Sequence, residues 1–298
     1  MFIGIEIGGT KLQLGVGAGN GAVPHLWRGP VDVDAGGAGI RRQIITAVPE
    51  LLARSGVNLS HVRGIAVGFG GPVDDDTQST LKSHQIDGWD GFPLARWLAD
   101  TFGRPAALGN DADVAGLAET LFGAGRGLSP VFYITVGSGI GGGLIVNQTI
   151  MRGCGKGAAE IGHLRVRTHD GEILSLEAIA SGWGMERQAR QAGTAWTARQ
   201  IADEAESGNP VARTILQHSR DALAEAIGHV IALLCPRRIV IGGGVSLMGE
   251  KMFFEPLRAA VAERVFRPFA GLTEIVPAAL GEAVVVHGAL ALARQRFL

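Results

Sequence analysis

The sequence predicts an α/β protein made from one sheet-and-helix unit written twice. Three observations carry that prediction. Residues 3–16, IGIEIGGTKLQLGV, are a β-rich run, a Gly8-Gly9-Thr10-Lys11 turn and a second β-rich run. Residues 131–146, VFYITVGSGIGGGLIV, repeat the plan with Gly137-Ser138-Gly139 and Gly141-Gly142-Gly143 at the turn. The length of 298 residues sits near the point where a single core splits, so two domains are expected.

Alternating β-branched and small residues around each glycine group predict hairpins whose turns need positive φ. Such turns bare backbone N–H groups that no side chain shields from an anion. One glycine hairpin is more often a plain turn than a site. A matched pair, with hydroxyls at Thr10 and Ser138, predicts two halves facing each other across a polyphosphate.

The remaining elements follow in order. Residues 22–33 read as an edge strand that tolerates Pro24 and Pro30. Helical periodicity runs over about 40–54, with Ile44, Ile45, Val48, Leu51 and Leu52 on one face. Residues 64–75 are a buried strand ending in a Gly-Gly-Pro turn. The segment 88–103 starts as a loop and becomes a helix with Pro93 in its first turn. A short strand over 105–111 and a helix over 112–125 complete the first half. After the second hairpin comes a loop-rich stretch, then helices over 175–189, 197–206 and 210–234. A strand over 237–246 closes on Gly242-Gly243-Gly244 and leads into a helix ending near Arg264. A last strand over 273–278 and a terminal helix over 283–296 follow.

Composition narrows the function. Hydrophobic residues make up 46% and charged residues 18%, as in a soluble globular chain. A net charge of −1 gives no broad attraction to nucleic acid or anionic lipid. The 46 glycines are not periodic and belong to turns and close backbone approaches. Cys154 and Cys235 are too few for a disulfide framework, which fits a reducing cytoplasm. The N-terminus lacks the pattern of a signal peptide. The longest apolar stretch, near Ala226–Cys235, is shorter than the ~18 residues a membrane span needs.

The three glycine groups at 8–9, 137–139 and 242–244 each leave a strand near its carboxyl end, where ligands of open α/β sheets bind. Neither a Walker lysine loop nor a GxGxxG opening a helix is present at the first of them. Taken alone, Asn110-Asp111 reads as a helix N-cap. Glu160 and His163 alone read as surface or satisfied core residues. Asp113, in a first helical turn, reads as structural.

The combination reads differently. Glu6-Ile7-Gly8-Gly9-Thr10-Lys11, Leu108-Gly109-Asn110-Asp111-Ala112 and Thr135-Val136-Gly137-Ser138-Gly139-Ile140-Gly141-Gly142-Gly143 resemble successive motifs of one family. Glu160-Ile161-Gly162-His163, Glu177 before Ser181-Gly182, and Val240-Ile241-Gly242-Gly243-Gly244 complete the set. The chain thus resembles the ROK (repressor, open reading frame, kinase) family of the actin-like ATPase superfamily, in the right order over essentially its whole length.

The resemblance implies a two-lobed fold with ribonuclease-H-like sheets, and with ATP and a hexose in the cleft. Its lobes would be 1–112 plus 283–298, the terminal helix packing back onto the first lobe, and 113–282. Asp111 would be the general base for the sugar 6-hydroxyl. Asn110, Glu160, His163, Glu177 and Gly71 would hold the sugar. Gly8, Gly9, Thr10 and Lys11 with Gly137, Ser138 and Gly139 would hold the phosphates. Gly242, Gly243 and Gly244 would border the adenosine, and Glu6 would face Mg²⁺ through water. Lys11 also reads as a solvated turn lysine. A homodimer is the family expectation, and a cytoplasmic location is expected from the cysteine scarcity and the N-terminal pattern noted above.

Two departures stand out. Many relatives carry cysteines after E-x-G-H that bind a structural zinc together with the His; residues 165–182 hold none, so no zinc is expected. Glu6 stands where Asp is usual, one methylene longer. Gln85 and Ile86-Asp87-Gly88-Trp89 also differ from the pattern common near the sugar. Trp89 reads equally as a cleft residue and as a packed loop tryptophan. The function expected is an ATP-dependent kinase acting on the 6-hydroxyl of glucose, a related hexose or an N-acetylhexosamine. The alternative is a sugar-binding regulatory protein without catalysis. A DNA-binding repressor is disfavoured, since only two residues precede the first strand.

Overall fold

The computed structural model describes residues 1–83, 86–168 and 170–298. His84, Gln85 and His169 lie outside the described residues, and with them the departure noted at Gln85. In chain order the first elements are β1 (Phe2–Ile7), β2 (Lys11–Gly17), β3 (His25–Pro30), α1 (Gly36–Ser55), β4 (Gly64–Phe69), β5 (Val73–Asp74), β6 (Ser79–Thr80), α2 (Leu94–Phe102), β7 (Ala106–Asn110) and α3 (Asp111–Phe122). Next come β8 (Val131–Val136), β9 (Ile140–Val146), β10 (Thr149–Ile150), β11 (Arg165–Arg167), β12 (Ile173–Ser175), α4 (Leu176–Ala180), α5 (Gly182–Gln191), α6 (Ala198–Glu206) and α7 (Pro210–Leu234). The chain closes with β13 (Arg238–Gly242), α8 (Glu255–Ala262), β14 (Glu274–Pro277) and α9 (Val284–Phe297).

The duplication is real at the level of topology. One five-stranded sheet runs β3-β2-β1-β4-β7 and the other β10-β9-β8-β13-β14. In the first, β1 pairs antiparallel with β2 and parallel with β4, and β4 pairs parallel with β7. In the second, β13 pairs parallel with both β8 and β14. Pro30 closes β3, an edge strand, where a missing ladder donor does no harm.

Packing divides the chain into two units. The first is Met1–Gly127, Gly143–Ala158 and Ala279–Leu298; the second is Leu128–Gly142 and Ala159–Ala278. The sequence-based boundary after residue 112 differs from this, for a physical reason. Helix α3 is bound to α9 so closely that a Cβ on Gly288 would stand 1.8 Å from the Val114 carbonyl oxygen. Residues 143–158 stay with the first unit through the ion pairs of Arg152 with Asp75 and of Lys156 with Asp74, each 2.5 Å. The Lys156 ammonium and the Thr77 N–H hold the Asp74 carboxyl down to about 2. The terminal helix α9 belongs to the first unit.

The core of the first unit forms because alternate residues of β1 and β2 make one apolar row that faces α1. Ile3, Ile5, Ile7, Leu12, Leu14 and Val16 are buried with Ile40, Ile44, Val48 and Leu51 of α1. Each such side chain contributes roughly 1.5–3 kcal/mol when fully removed from water. Ile45, expected on that apolar face, is 46% exposed instead. Trp89 is fully buried against Phe69 and Phe92, with ring centroids 5.4 and 5.6 Å away. Of its two readings, the packed one holds.

In the second unit, Ile239, Val240 and Ile241 of β13 are wholly buried between the neighbouring strands. The helix expected over 175–189 breaks at Ser181, whose φ of −74° and ψ of 167° are extended. Its Oγ accepts from Gly184 N at 3.0 Å and so caps α5. The strand expected to reach residue 246 ends at Gly242, where Gly243 turns out at φ +87°. The short pairs β5–β6 and β11–β12 were not foreseen. No described helix is long and apolar enough to cross a membrane.

Candidate active site

In the first unit the site starts at the β1–β2 turn, closed by Gly8 N donating to Lys11 O at 3.0 Å. The expectation of positive φ at the hairpin glycines is corrected here. Gly8, Gly137 and Gly139 all keep negative or extended φ. Close approach decides these positions. A Cβ on Gly8 would stand 3.3 Å from Lys11 O and 4.0 Å from Glu6 Oε1.

Glu6 is 7% exposed and directly opposite Gln13 across the β1–β2 ladder, so the two side chains share a face. Gln13 Nε2 donates to Glu6 Oε2 at 2.6 Å, and Lys11 Nζ lies 3.4 Å from Glu6 Oε1. Burial pushes the Glu6 carboxyl above its ordinary value; Lys11 and Gln13 oppose that rise. Lys11 also donates to Glu282 O at 3.3 Å, so its ammonium is tied down at the hairpin. Thr10 is exposed, its carbonyl accepting from Val31 N at 3.0 Å.

Asp111 opens α3 where β7 ends. Its Oδ1 accepts from Ala112 N at 2.8 Å. Its Oδ2 lies 3.5 Å from where a Gly70 Cβ would be, and that point is 3.7 Å from Gly8 Cα. Gly70 N donates to Ile7 O at 2.9 Å, which fixes this juxtaposition to the sheet. The structure therefore brings Asp111, Gly8 and Gly70 together. Asn110 is the N-cap: its Oδ1 accepts from Ala112 N and Asp113 N at 2.9 and 3.3 Å. Its Nδ2 donates to Gly71 O at 3.0 Å, joining two residues expected at the sugar. Asp113 is buried in the first turn of α3.

In the second unit, Gly137 N donates to Gly139 O at 2.9 Å, and Gly182 N, at the start of α5, donates to Gly137 O at 2.7 Å. A Cβ on Gly137 or Gly244 would meet nothing within 4 Å, so the backbone there is open. Glu177 lies at this turn. Its Oε2 accepts from Ile140 N at 2.8 Å and would stand 2.4 Å from a Gly139 Cβ. Glu160 and His163 are exposed on a short turn whose Gly162 abuts β9, a Cβ there meeting Ile140 O at 2.1 Å. Gly243 needs its glycine twice over: φ is +87°, and a Cβ would stand 2.5 Å from Val136 O. Ser138 O accepts from Trp183 N at 3.3 Å.

Sequence reasoning missed Gln13, the backbone N–H of Ile140 and the Ser181 cap. Gln13 had a visible signal, a polar residue inside the apolar strand KLQLGV. A cavity of about 960 Å³ in the second unit, lined by Arg187, His218, Asp221 and Arg264 among others, contains none of the expected site residues. Cys154 belongs to the first unit and Cys235 to the second. Among the described residues no three His, Cys, Asp or Glu side chains group to hold a metal. A hydrated Mg²⁺ needs few protein ligands and hard oxygen acceptors. The Glu6 carboxylate and the buried Gln13 Oε1, which has no donor among the described residues, fit that requirement.

A twice-used sheet of this order, with glycine hairpins at its first two strands, defines the actin-like ATPase fold to which sugar kinases belong. Residues 2–296 match the ROK family, and the chain belongs to that family. It is similar to a glucokinase of Halalkalibacterium halodurans, 30% identical over 84% of this chain and 82% of that protein. A ROK hexokinase structure from Thermus thermophilus aligns with a TM-score of 0.84 and 28% identity, covering 99% of this chain and 98% of the other. A ROK family glucokinase from Streptomyces griseus in complex with glucose and AMPPNP aligns at 0.81 and 29% identity, over 99% of each chain.

Proposed function

We propose that this chain, a sugar kinase of the ROK family, transfers the γ-phosphate of ATP to the 6-hydroxyl of glucose, a related hexose or an N-acetylhexosamine. The observation that supports this best is the Asp111 carboxylate beside Gly8 and Gly70, at the phosphate-type hairpin of its own unit. In this reading the Asp111 carboxylate, oriented by Ala112 N on Oδ1, takes the hydroxyl proton. A carboxylate so placed orients the hydroxyl for in-line attack, and phosphoryl transfer depends mainly on such positioning and on charge neutralisation.

A neutral sugar offers no charge to grip. Asn110, Gly71, Glu160, His163 and Glu177 hold its hydroxyls by hydrogen bonds, which rejects analogues that leave a buried partner unpaired. Gly8, Gly9, Thr10, Lys11, Gly137, Ser138 and Gly139 hold the phosphates. Gly242, Gly243 and Gly244 border the adenosine, where open backbone at Gly244 supports close approach of a ligand. Mg²⁺, when bound with the nucleotide, neutralises phosphate charge, and Glu6 holds it through water. The reading includes a homodimer, as the family resemblance implies, and a cytoplasmic location, as the scarce cysteines suggest.

The test is ADP production against a panel of hexoses and N-acetylhexosamines, with Asp111→Asn as control. We expect sugar-stimulated turnover that falls at least ~100-fold in the variant, the usual cost of a lost positioned base. Undiminished turnover in Asp111→Asn would remove that residue from the mechanism. Sugar binding without any turnover would favour the regulatory alternative.

A further inference from the structure

Gln13 is the most unusual residue in the two sheets. It is 1% exposed, flanked along β2 by Leu12 and Leu14, and faces the only acidic residue of β1. Its Nε2 has two acceptors, Glu6 Oε2 at 2.6 Å and Glu282 O at 3.0 Å, from the turn before α9. Two acceptors on one atom fix the amide's orientation, since a flipped amide would set Oε1 against both of them. Oε1 is then a buried acceptor with no donor among the described residues. Buried polar atoms are rarely left so, and a donor from outside the protein is the ordinary remedy.

The neighbourhood says which donor. Glu6 Oε1 lies 4.0 Å from a Gly8 Cβ position, so carboxylate and amide sit directly behind the first hairpin. A glutamate side chain has several rotatable bonds, so its carboxylate must be restrained to hold one place. We propose that Gln13 is a positioning residue for the hydrated divalent cation of the nucleotide, tethering the Glu6 carboxylate through Nε2 and accepting from a cation-bound water through Oε1. This rests on the kinase reading above. No bond forms or breaks in this role; the amide only fixes where the carboxylate and the water shell stand. Groups of this kind, one layer out from a metal, typically control its affinity by about 10–100-fold.

The test compares nucleotide binding with and without metal in the full chain. Titration calorimetry would measure AMPPNP affinity with excess Mg²⁺ and with EDTA, and electron paramagnetic resonance would follow Mn²⁺ release in the Mn²⁺·AMPPNP complex. For Gln13→Met, close in volume, we expect the metal-loaded affinity to fall about tenfold while the metal-free affinity changes less than about twofold. Glu6→Asp in the Gln13→Met background should recover most of that loss, because the shorter carboxylate needs no tether. Equal loss in both conditions, or no loss in either, would overturn the proposal and leave the kinase reading standing. A parent chain that binds AMPPNP in neither condition would overturn both.

Discussion

Each glycine hairpin has a glutamate behind it, and the two glutamates are used in opposite ways. Behind the first, the partners of Glu6 among the described residues are the side chains of Gln13 and Lys11. Behind the second, Glu177 is committed to the backbone, accepting from Ile140 N as the chain leaves the turn. One sequence plan therefore yields a hairpin whose carboxylate is held by side chains and a hairpin whose carboxylate is bonded into its own backbone. A duplicated topology does not imply duplicated chemistry.

The sharpest way to break this contrast is alanine at one crowded glycine of each hairpin. Gly139→Ala sets a Cβ 2.4 Å from Glu177 Oε2, which must swing away and abandon Ile140 N. We expect a loss of about 2 kcal/mol or more, read from denaturant unfolding of the second unit. Glu177→Ala, which strips the acceptor without the clash, should cost about 1–2 kcal/mol. Faster hydrogen exchange at the Ile140 amide should accompany it. Unchanged exchange there would mean that Glu177 is not what holds the turn.

Smaller effects are expected at the first hairpin. Gly8→Ala places a Cβ 3.3 Å from Lys11 O, a contact relieved by a shift of a few tenths of an ångström. Its stability cost should stay under about 1 kcal/mol, well below that of Gly139→Ala. If the two costs proved equal, the contrast between the hairpins would fail. Glu6 supplies the subtlest signal. Its carboxyl is raised above the ordinary 4.5 by burial, so the folded chain binds that proton more tightly than the unfolded chain. Stability from this group is greatest below 4.5 and declines as pH rises through the raised value. Glu6→Gln, studied without metal, should flatten that decline in melting temperature between acid and neutral pH. A parent-minus-variant difference whose slope has the opposite sign would show that Lys11 and Gln13 outweigh burial.

Much of this was legible in the sequence because it was local. Both hairpins, the cap at Asn110 and the terminal helix follow from periodicity, turn residues and capping preference. What escaped depends on a partner far along the chain. The hairpin glycines read as positive-φ residues, but Gly139 answers to Glu177, and no local rule sees a carboxylate 38 positions away. Ser181 was read inside a helix because Ile179 and Met185 keep the apolar period on both sides of it. The unit boundary escaped for the same reason, being set by the seating of α9 on α3 and by Arg152 and Lys156 on Asp75 and Asp74. Gln13 was visible as an oddity, and its meaning emerged only once Glu6 stood opposite it.

The intimacy of Gly288 with Val114 has a consequence for how the molecule is born. On the ribosome, the first unit stays incomplete until Ala279–Leu298 has emerged, so the opening sheet, among the first segments made, waits for the last helix to cover it.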